Sequence, residues 1–231
     1  MATFNELVFD IMELVRGGQI SDDTDLSRRN IAYHLANQRA LWLRNEYNKS
    51  GRKIDPHLEQ DLGCLELEEV DAADCCDITS GCTALRTKKK IPALIELHSG
   101  PAITRVGPVN KISKPFSFDP FQKAVYSMHN KYGKKAPVSF LLNDYIYLLI
   151  QDPAMQTLDY VNVRGVFANP EDLQDFSCDV TNNSCFSYDD EYPINNWMVP
   201  YMKEQILKQL GLSMQMPKDE ANDAKEDFTK Q

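Results

Sequence analysis

The period of the apolar residues changes twice along this chain, from helical at the start to strand-like in the middle and back to helical near the end. No other feature limits the fold as much. Phe4, Leu7, Val8, Ile11, Leu14 and Val15 recur at three- and four-residue spacing, one stripe of a first helix. Gly17-Gly18 stops that helix, because glycine accepts the left-handed turn that ends helices. Ser21 to Asp25 is rich in capping residues, and Asp25 or Ser27 is the expected N-cap of a second helix running to about Tyr47. Near the other end, Met198, Tyr201, Met202, Gln205, Ile206 and Leu210 line one side of a helix from Trp197 to Leu210. Pro200 falls in its first turn, where no intrahelical bond is lost, and Gly211 suits the residue after its end. Neither terminal segment buries its stripe alone. Trp197, Met198, Tyr201 and Ile206 are therefore expected to pack on the first two helices.

The second helix is unusual. Ile31, Leu35 and Trp42 lie near one face, but Ala32, Tyr33, Ala36, Ala40, Leu41 and Leu43 spread apolar surface round much of the circumference. Arg28, Arg29, Arg39 and Arg44 interrupt it. Such a helix is the centre of a bundle, or is packed by its own domain on one side and by a neighbouring subunit on the other.

Between the helices the pattern is that of short strands. Cys64 to Glu68 alternates, and Ile91 to Leu97 and Ala102 to Val106 are β-favourable runs between proline and glycine. Val138 to Leu142 and Tyr145 to Ile150 flank Asn143-Asp144, a pair able to supply the positive φ angles of a tight hairpin. Leu158 to Phe167 reads as a further strand, and Phe121 to His129 as a short helix or an irregular excursion. Many short strands without βα alternation predict an α+β chain: a helical base with an inserted small antiparallel β-barrel or sandwich. The expected divisions are 1–58 for the N-terminal helical part and 59–170 for the β-rich module. An acidic loop at 171–191, the C-terminal helix at 192–212 and a polar tail at 213–231 follow. The loop holds seven acidic residues and no basic one, as suits an exposed connector.

Charge is segregated within the net −9 of the 231 residues. Residues 1–85 sum to −8, residues 86–135 to +9 and residues 136–231 to −10. A basic middle between acidic flanks suits nucleic acid, or the acidic surface of a neighbouring copy; the second option pre-orients head-to-tail association and ring closure. No apolar run approaches the ~20 residues that span a bilayer, and the start lacks the pattern of a signal peptide. The expectation is a soluble protein of a reducing compartment, with no membrane partner.

There is no P-loop, GxGxxG, GxSxG or HExxH, and Gly133-Lys134-Lys135 lacks the rest of a phosphate cradle. His34, His57, His98 and His129 sit in no metal or catalytic spacing. Cys64, Cys75, Cys76 and Cys82 invite a zinc reading, but adjacent cysteines rarely reach one metal, so small buried side chains are the expectation. Cys178 and Cys185 bracket a plausible turn and are expected reduced, with a disulfide as the alternative. Asp179 and Asp189 to Glu191 lack a glycine-centred calcium loop and read as solvated. No catalytic residue, cofactor or metal is assigned.

Several phrases resemble structural proteins of crAss-like bacteriophages, short-tailed viruses of gut bacteria. They are Gln38-Arg39-Ala40-Leu41-Trp42-Leu43-Arg44-Asn45-Glu46-Tyr47-Asn48, Gln60 to Leu67, Tyr160 to Leu173, and Asp190-Glu191-Tyr192-Pro193-Ile194. The resemblance implies a virion protein of the head–tail ring, neck or tail adaptor. It would form a homo-oligomeric ring, a dodecamer matching the portal, against the portal and other neck or tail rings. It would line a conduit through which DNA passes without specific binding. No active-site residue is carried over. The alternative is a phage DNA-associated accessory protein binding through the basic segment 86–135.

A conduit should not grip its cargo, so positive charge is more comfortable at a subunit contact than in a lumen. Candidates for that contact are Tyr33, Arg39, Leu41, Leu43 and Arg44 on the second helix, with Arg86, Lys88, Lys89 and Lys90 as steering charge. Exposed ion pairs contribute only about 0–1 kcal/mol each, so apolar burial must supply the stability.

Overall fold

The computed structural model describes residues 2–15, 27–50, 54–71, 83–110, 112–128, 137–150, 158–177 and 184–213. The readings at Gly17-Gly18, Asp25, Cys75 to Cys82, Gly133 to Lys135, Cys178 and the tail from residue 214 lie outside these residues.

Two helices open the chain, α1 (Phe4–Val15) and α2 (Arg28–Ser50). A reciprocal cap starts α1. Thr3 Oγ1 accepts from the Glu6 amide at 3.2 Å, and Glu6 Oε2 accepts from the Thr3 amide at 2.9 Å. Ser27 caps α2 by accepting from the Asn30 amide, which decides between the two candidate caps in its favour.

The strands are β1 (Gln60–Asp61), β2 (Leu65–Asp71), β3 (Thr83–Thr87), β4 (Glu96–Leu97), β5 (Gly100–Pro101), β6 (Ile103–Gly107), β7 (Ser117–Phe118), β8 (Val138–Leu142), β9 (Tyr145–Leu149) and β10 (Tyr160–Gly165). A short helix, α3 (Phe121–Met128), precedes β8, and α4 (Met198–Ser213) closes the described chain. Among the described residues, eight strands form one antiparallel-rich sheet, with β10 between β6 on one edge and β1 and β2 on the other. The path continues β2-β3-β9-β8-β7, and of these described pairs only β7–β8 is parallel. The Phe116 amide donates to the Val106 carbonyl at 2.8 Å, so the two outer edges of the curled sheet meet at one bond rather than along a ladder. The chain is thus α+β.

The β8–β9 turn is the tight one its sequence predicts, with Asn143 at φ 52° and Asp144 at φ 67°. Gly165 sits at a β-bulge against β6, where an added Cβ would lie 2.7 Å from the Ala102 carbonyl oxygen.

Three expectations are corrected. Ile91 to Leu97 is not a strand: Pro92 lacks a donor, and the segment makes scattered bonds to Asp144, Val166 and Ala168 before the two residues of β4. Gly211 does not end α4, which continues to Ser213; nothing crowds the glycine, and its backbone is not left-handed. The acidic segment is no solvated connector. Pro170–Asp175 forms a 3-10 turn capped by Asn169, and Leu173, Phe176, Phe186, Tyr192 and Ile194 are all buried. Asp172, Asp175, Asp189, Asp190 and Glu191 are exposed and Glu171 is half-buried, while the apolar residues strap the chain to the core.

That core is continuous. Phe4, Leu7 and Ile11 of α1, Ile31, Leu35 and Leu43 of α2, and Met198, Met202, Ile206 and Leu210 of α4 form one buried cluster with Val106, Ile146, Val161 and Val163 of the strands. A smaller cluster under α3 joins Ala124, Val138, Phe140 and Tyr147, with the last two rings stacked.

Candidate interaction surface

A helix turns about 100° per residue, which splits the α2 candidates between two opposite faces. Tyr33 and Leu41 are 65% and 51% exposed, and Arg44 is exposed beside them on the same stripe as Asn37, Asn45 and Asn48. Leu43 is buried in the subunit core at 1% exposure, and Arg39 at 0%. Those two are corrected from contact candidates to interior residues.

The exposed stripe continues onto the last helix. Trp197 and Tyr201 are 48% and 53% exposed, and the Tyr201 ring lies 5.7 Å from that of Trp42. Met198 and Ile206 are fully buried in one cluster with residues of α1 and α2, while Trp197 and Tyr201 face half outward. Between α2 and α4 runs an open groove of about 330 Å³ lined by Gln38, Leu41, Trp42, Asn45, Gln205 and Gln209, with Glu46 and Lys49 at one end. In a chain with 26% charged residues, a surface of Tyr, Leu, Trp, Asn and Gln whose charges are Arg44, Glu46 and Lys49 is distinctive for its aromatic content. Aromatics and arginine with few other charges make up the centres of protein interfaces.

Arg39 does a different task. Its Nε donates to the Pro193 carbonyl and its Nη1 to the Phe167 carbonyl, both at 2.7 Å, and its guanidinium carbon lies 5.7 Å from the centre of the Tyr192 ring. It thereby ties α2 to the end of β10 and to the segment entering α4. Burial pulls its pKa below the ordinary arginine value, and burial pushes the Tyr192 hydroxyl up to about 12. Arg39 Nη2 and the Tyr192 hydroxyl have no hydrogen-bond partner among the described residues.

The basic cluster proves largely compensated. Arg86 pairs with Glu68 at 2.8 Å and lies over Tyr145, while Lys88 pairs with Glu66 at 3.0 Å. Lys89 donates to the Asp175 carbonyl at 3.3 Å, and Lys90 approaches Asp144 at 3.9 Å. Arg86 is held above its usual pKa by Tyr147 and then Glu68, and Lys88 by Glu66. Further along, Lys123 pairs with Asp119 and holds that carboxyl below its usual range. Arg105 is committed to Asn162 and to the Asn110 and Ser113 carbonyls.

Other polar clusters join elements together. The Tyr47 hydroxyl donates to Asp55, which also accepts from Asn195, and Asn195 meets His57. Cys64 is free and exposed, not buried; Cys185 is disulfide-bonded, against the expected reduced state, and the Ser177–Ser184 bridge beside it brings the strap into register. No group of three His, Cys, Asp or Glu among the described residues is placed to hold a metal, and no described helix is long and apolar enough to cross a membrane. Sequence reasoning missed Phe9, 71% exposed on α1, and Ile112, 95% exposed on the β6–β7 connection. Phe9 lies off the three- and four-residue stripe, the one signal that set it apart.

Residues 6–228 match the family described as phage tail ring protein 2. The chain is also 26% identical over 235 residues to Ring protein 2 of Bacteroides phage crAss001, an alignment spanning 98% of each.

Proposed function

Because this chain belongs to the phage tail ring protein 2 family, we propose that it is a homo-oligomeric ring subunit joining portal to tail in a crAss-like phage. Copies surround the conduit for the genome, in a number matching the portal's twelve-fold symmetry, and stack on other neck or tail rings after assembly in the bacterial host. The subunit works by shape and self-association, without catalysis. The observation that carries this reading is the sparsely charged aromatic face of α2 and α4, with Tyr33, Leu41 and Tyr201 more than half exposed. A monomer rarely keeps such a patch uncovered. The relative named Ring protein 2 supports it at full length.

The DNA-binding alternative rested on uncompensated charge in 86–135. With Arg86, Lys88 and Lys123 paired inside the subunit, three of the seven described cations of that segment are already engaged by the subunit's own carboxylates and have less to gain from phosphates. Mass photometry of the purified protein, followed by averaged electron-microscopy images, tests the proposal. A closed oligomer of uniform copy number is the expected result. A strictly monomeric protein whose DNA affinity falls steeply with salt would replace it with the alternative.

A further inference from the structure

A ring made by rotation needs two different surfaces on each subunit, one to give and one to receive. The helices α1, α2 and α4 each pack against the other two, so the outer face of α1 and the outer face of the α2–α4 groove point away from each other. That is the placement head-to-tail contact requires.

The charges left over on these helices are opposite. The acidic residues of α1 are Glu6, Asp10 and Glu13, and it has no basic residue. Glu6 is used in the helix cap and Asp10 pairs with Lys203, leaving exposed Glu13 with no partner among the described residues. On α2, Arg39 is buried and Arg28 is bonded to Asn5 and lies over Tyr188. Arg29 acts on Glu171, whereas Arg44 and Lys49 are exposed with no ion pair among the described residues, Arg44 in a hollow that Glu96 also lines and Lys49 in the groove. Beside Glu13, one turn back on the same outward side, stands Phe9; one turn before Arg44 stands Leu41, which edges the groove with Trp42. Each unpaired charge therefore adjoins unsatisfied apolar surface.

We infer that neighbouring copies meet head-to-tail, with Phe9 and Glu13 of one copy seated on the groove at Leu41 and Trp42 and on Arg44 of the next. This rests on the ring reading above. A two-fold contact is disfavoured, because the two opposed faces cannot both enter it, and one centred on either face alone would bring Glu13 toward Glu13 or Arg44 toward Arg44. The chain's own residues 214–231 are a poor filler, since eight of the eighteen are Lys, Asp or Glu and six of the eight residues lining the groove are uncharged. A phenylalanine edge against Trp42 and Tyr201 would extend the aromatic pair those two rings already make.

The test uses the full chain and four exposed positions, with denaturant unfolding to verify that each variant stays folded. Glu13→Arg and Arg44→Glu should each raise the concentration needed for assembly about tenfold or more. The double variant, in which every contact again joins opposite charges, should recover most of that loss. Phe9→Asp and Leu41→Asp should each fail to assemble alone, but a 1:1 mixture should give a dimer and stop there, because one copy keeps the knob and the other the groove. A wild-type ring that all four single substitutions leave unchanged overturns this contact while the ring reading stands. A ring lost only on removal of residues 214–231 assigns the groove to the tail and overturns the pairing too. A wild-type protein that stays monomeric at every concentration overturns the ring reading itself.

Discussion

Replacing Arg39 separates the contributions that a buried cation makes here. In Arg39→Met the Phe167 and Pro193 carbonyls lose their donor, and each orphaned buried acceptor costs about 1–3 kcal/mol. Against that, the fold no longer desolvates a guanidinium with no paired carboxylate, a relief of several kcal/mol. The two nearly offset, so Arg39→Met should lie within about 2 kcal/mol of the wild type. Arg39→Ala orphans the same carbonyls and also removes the three-methylene stem, worth about 0.8 kcal/mol per buried methylene. It should therefore be less stable than Arg39→Met by about 2–3 kcal/mol. Arg39→Lys keeps the charge but offers a point ammonium in place of a fork spanning two carbonyls, and should be less stable than Arg39→Met. Equilibrium urea unfolding gives the order directly, provided the m-values agree. If Ala and Met variants melt together, or if Ala costs under about 0.5 kcal/mol, Arg39 is not the staple its bonds indicate.

Tyr192 titrates near pH 12 in the fold against about 10 in the unfolded chain. Its contribution is thus complete below pH 10 and is lost as pH rises toward 12, at about 1.4 kcal/mol per unit; Tyr192→Phe should flatten that part of a stability–pH curve. At neutral pH the same substitution removes a buried hydroxyl with no partner among the described residues and should change stability by less than about 1 kcal/mol. Gly165→Ala forces a methyl to 2.7 Å from the Ala102 carbonyl oxygen and should cost about 1–3 kcal/mol in urea unfolding. Asp144→Gly relieves a left-handed residue at φ 67°, loses only a weak contact to Lys90, and should stabilise by about 0.5–1 kcal/mol in the same assay.

Where a sequence pattern has a phase, it predicted the fold well. The α1 stripe buries Phe4, Leu7, Val8 and Ile11 as its spacing requires, and the Asn143-Asp144 pair makes its turn because two residues must take positive φ there. The strap at 170–194 was opaque for the opposite reason. Its many carboxylates dominate any average over composition, whereas Leu173, Phe176, Phe186 and Tyr192 are spaced irregularly and find the core through turns rather than a periodic element. The bond across the curled sheet, from Phe116 to Val106, has no local signal, since closure depends on the twist accumulated over strands distant in sequence.

The interaction surface was half legible, and α2 explains why. A helix with apolar residues round its circumference reports that two sides are covered, but carries no phase to say which side is the subunit's own. Leu41 and Leu43 are two residues apart and chemically identical, yet they lie about 160° from each other, one exposed and one in the core. Arg39 and Arg44 are divided in the same way, and here the chemistry differs in kind. The buried one must spend its donors on carbonyls of its own chain, while the exposed one keeps them for something outside it. Only residues distant in sequence, Phe167, Tyr192 and Pro193, decide which arginine is which. The outward face of a ring subunit is therefore defined by subtraction: it is the part of an over-apolar helix that the rest of the chain declines to cover.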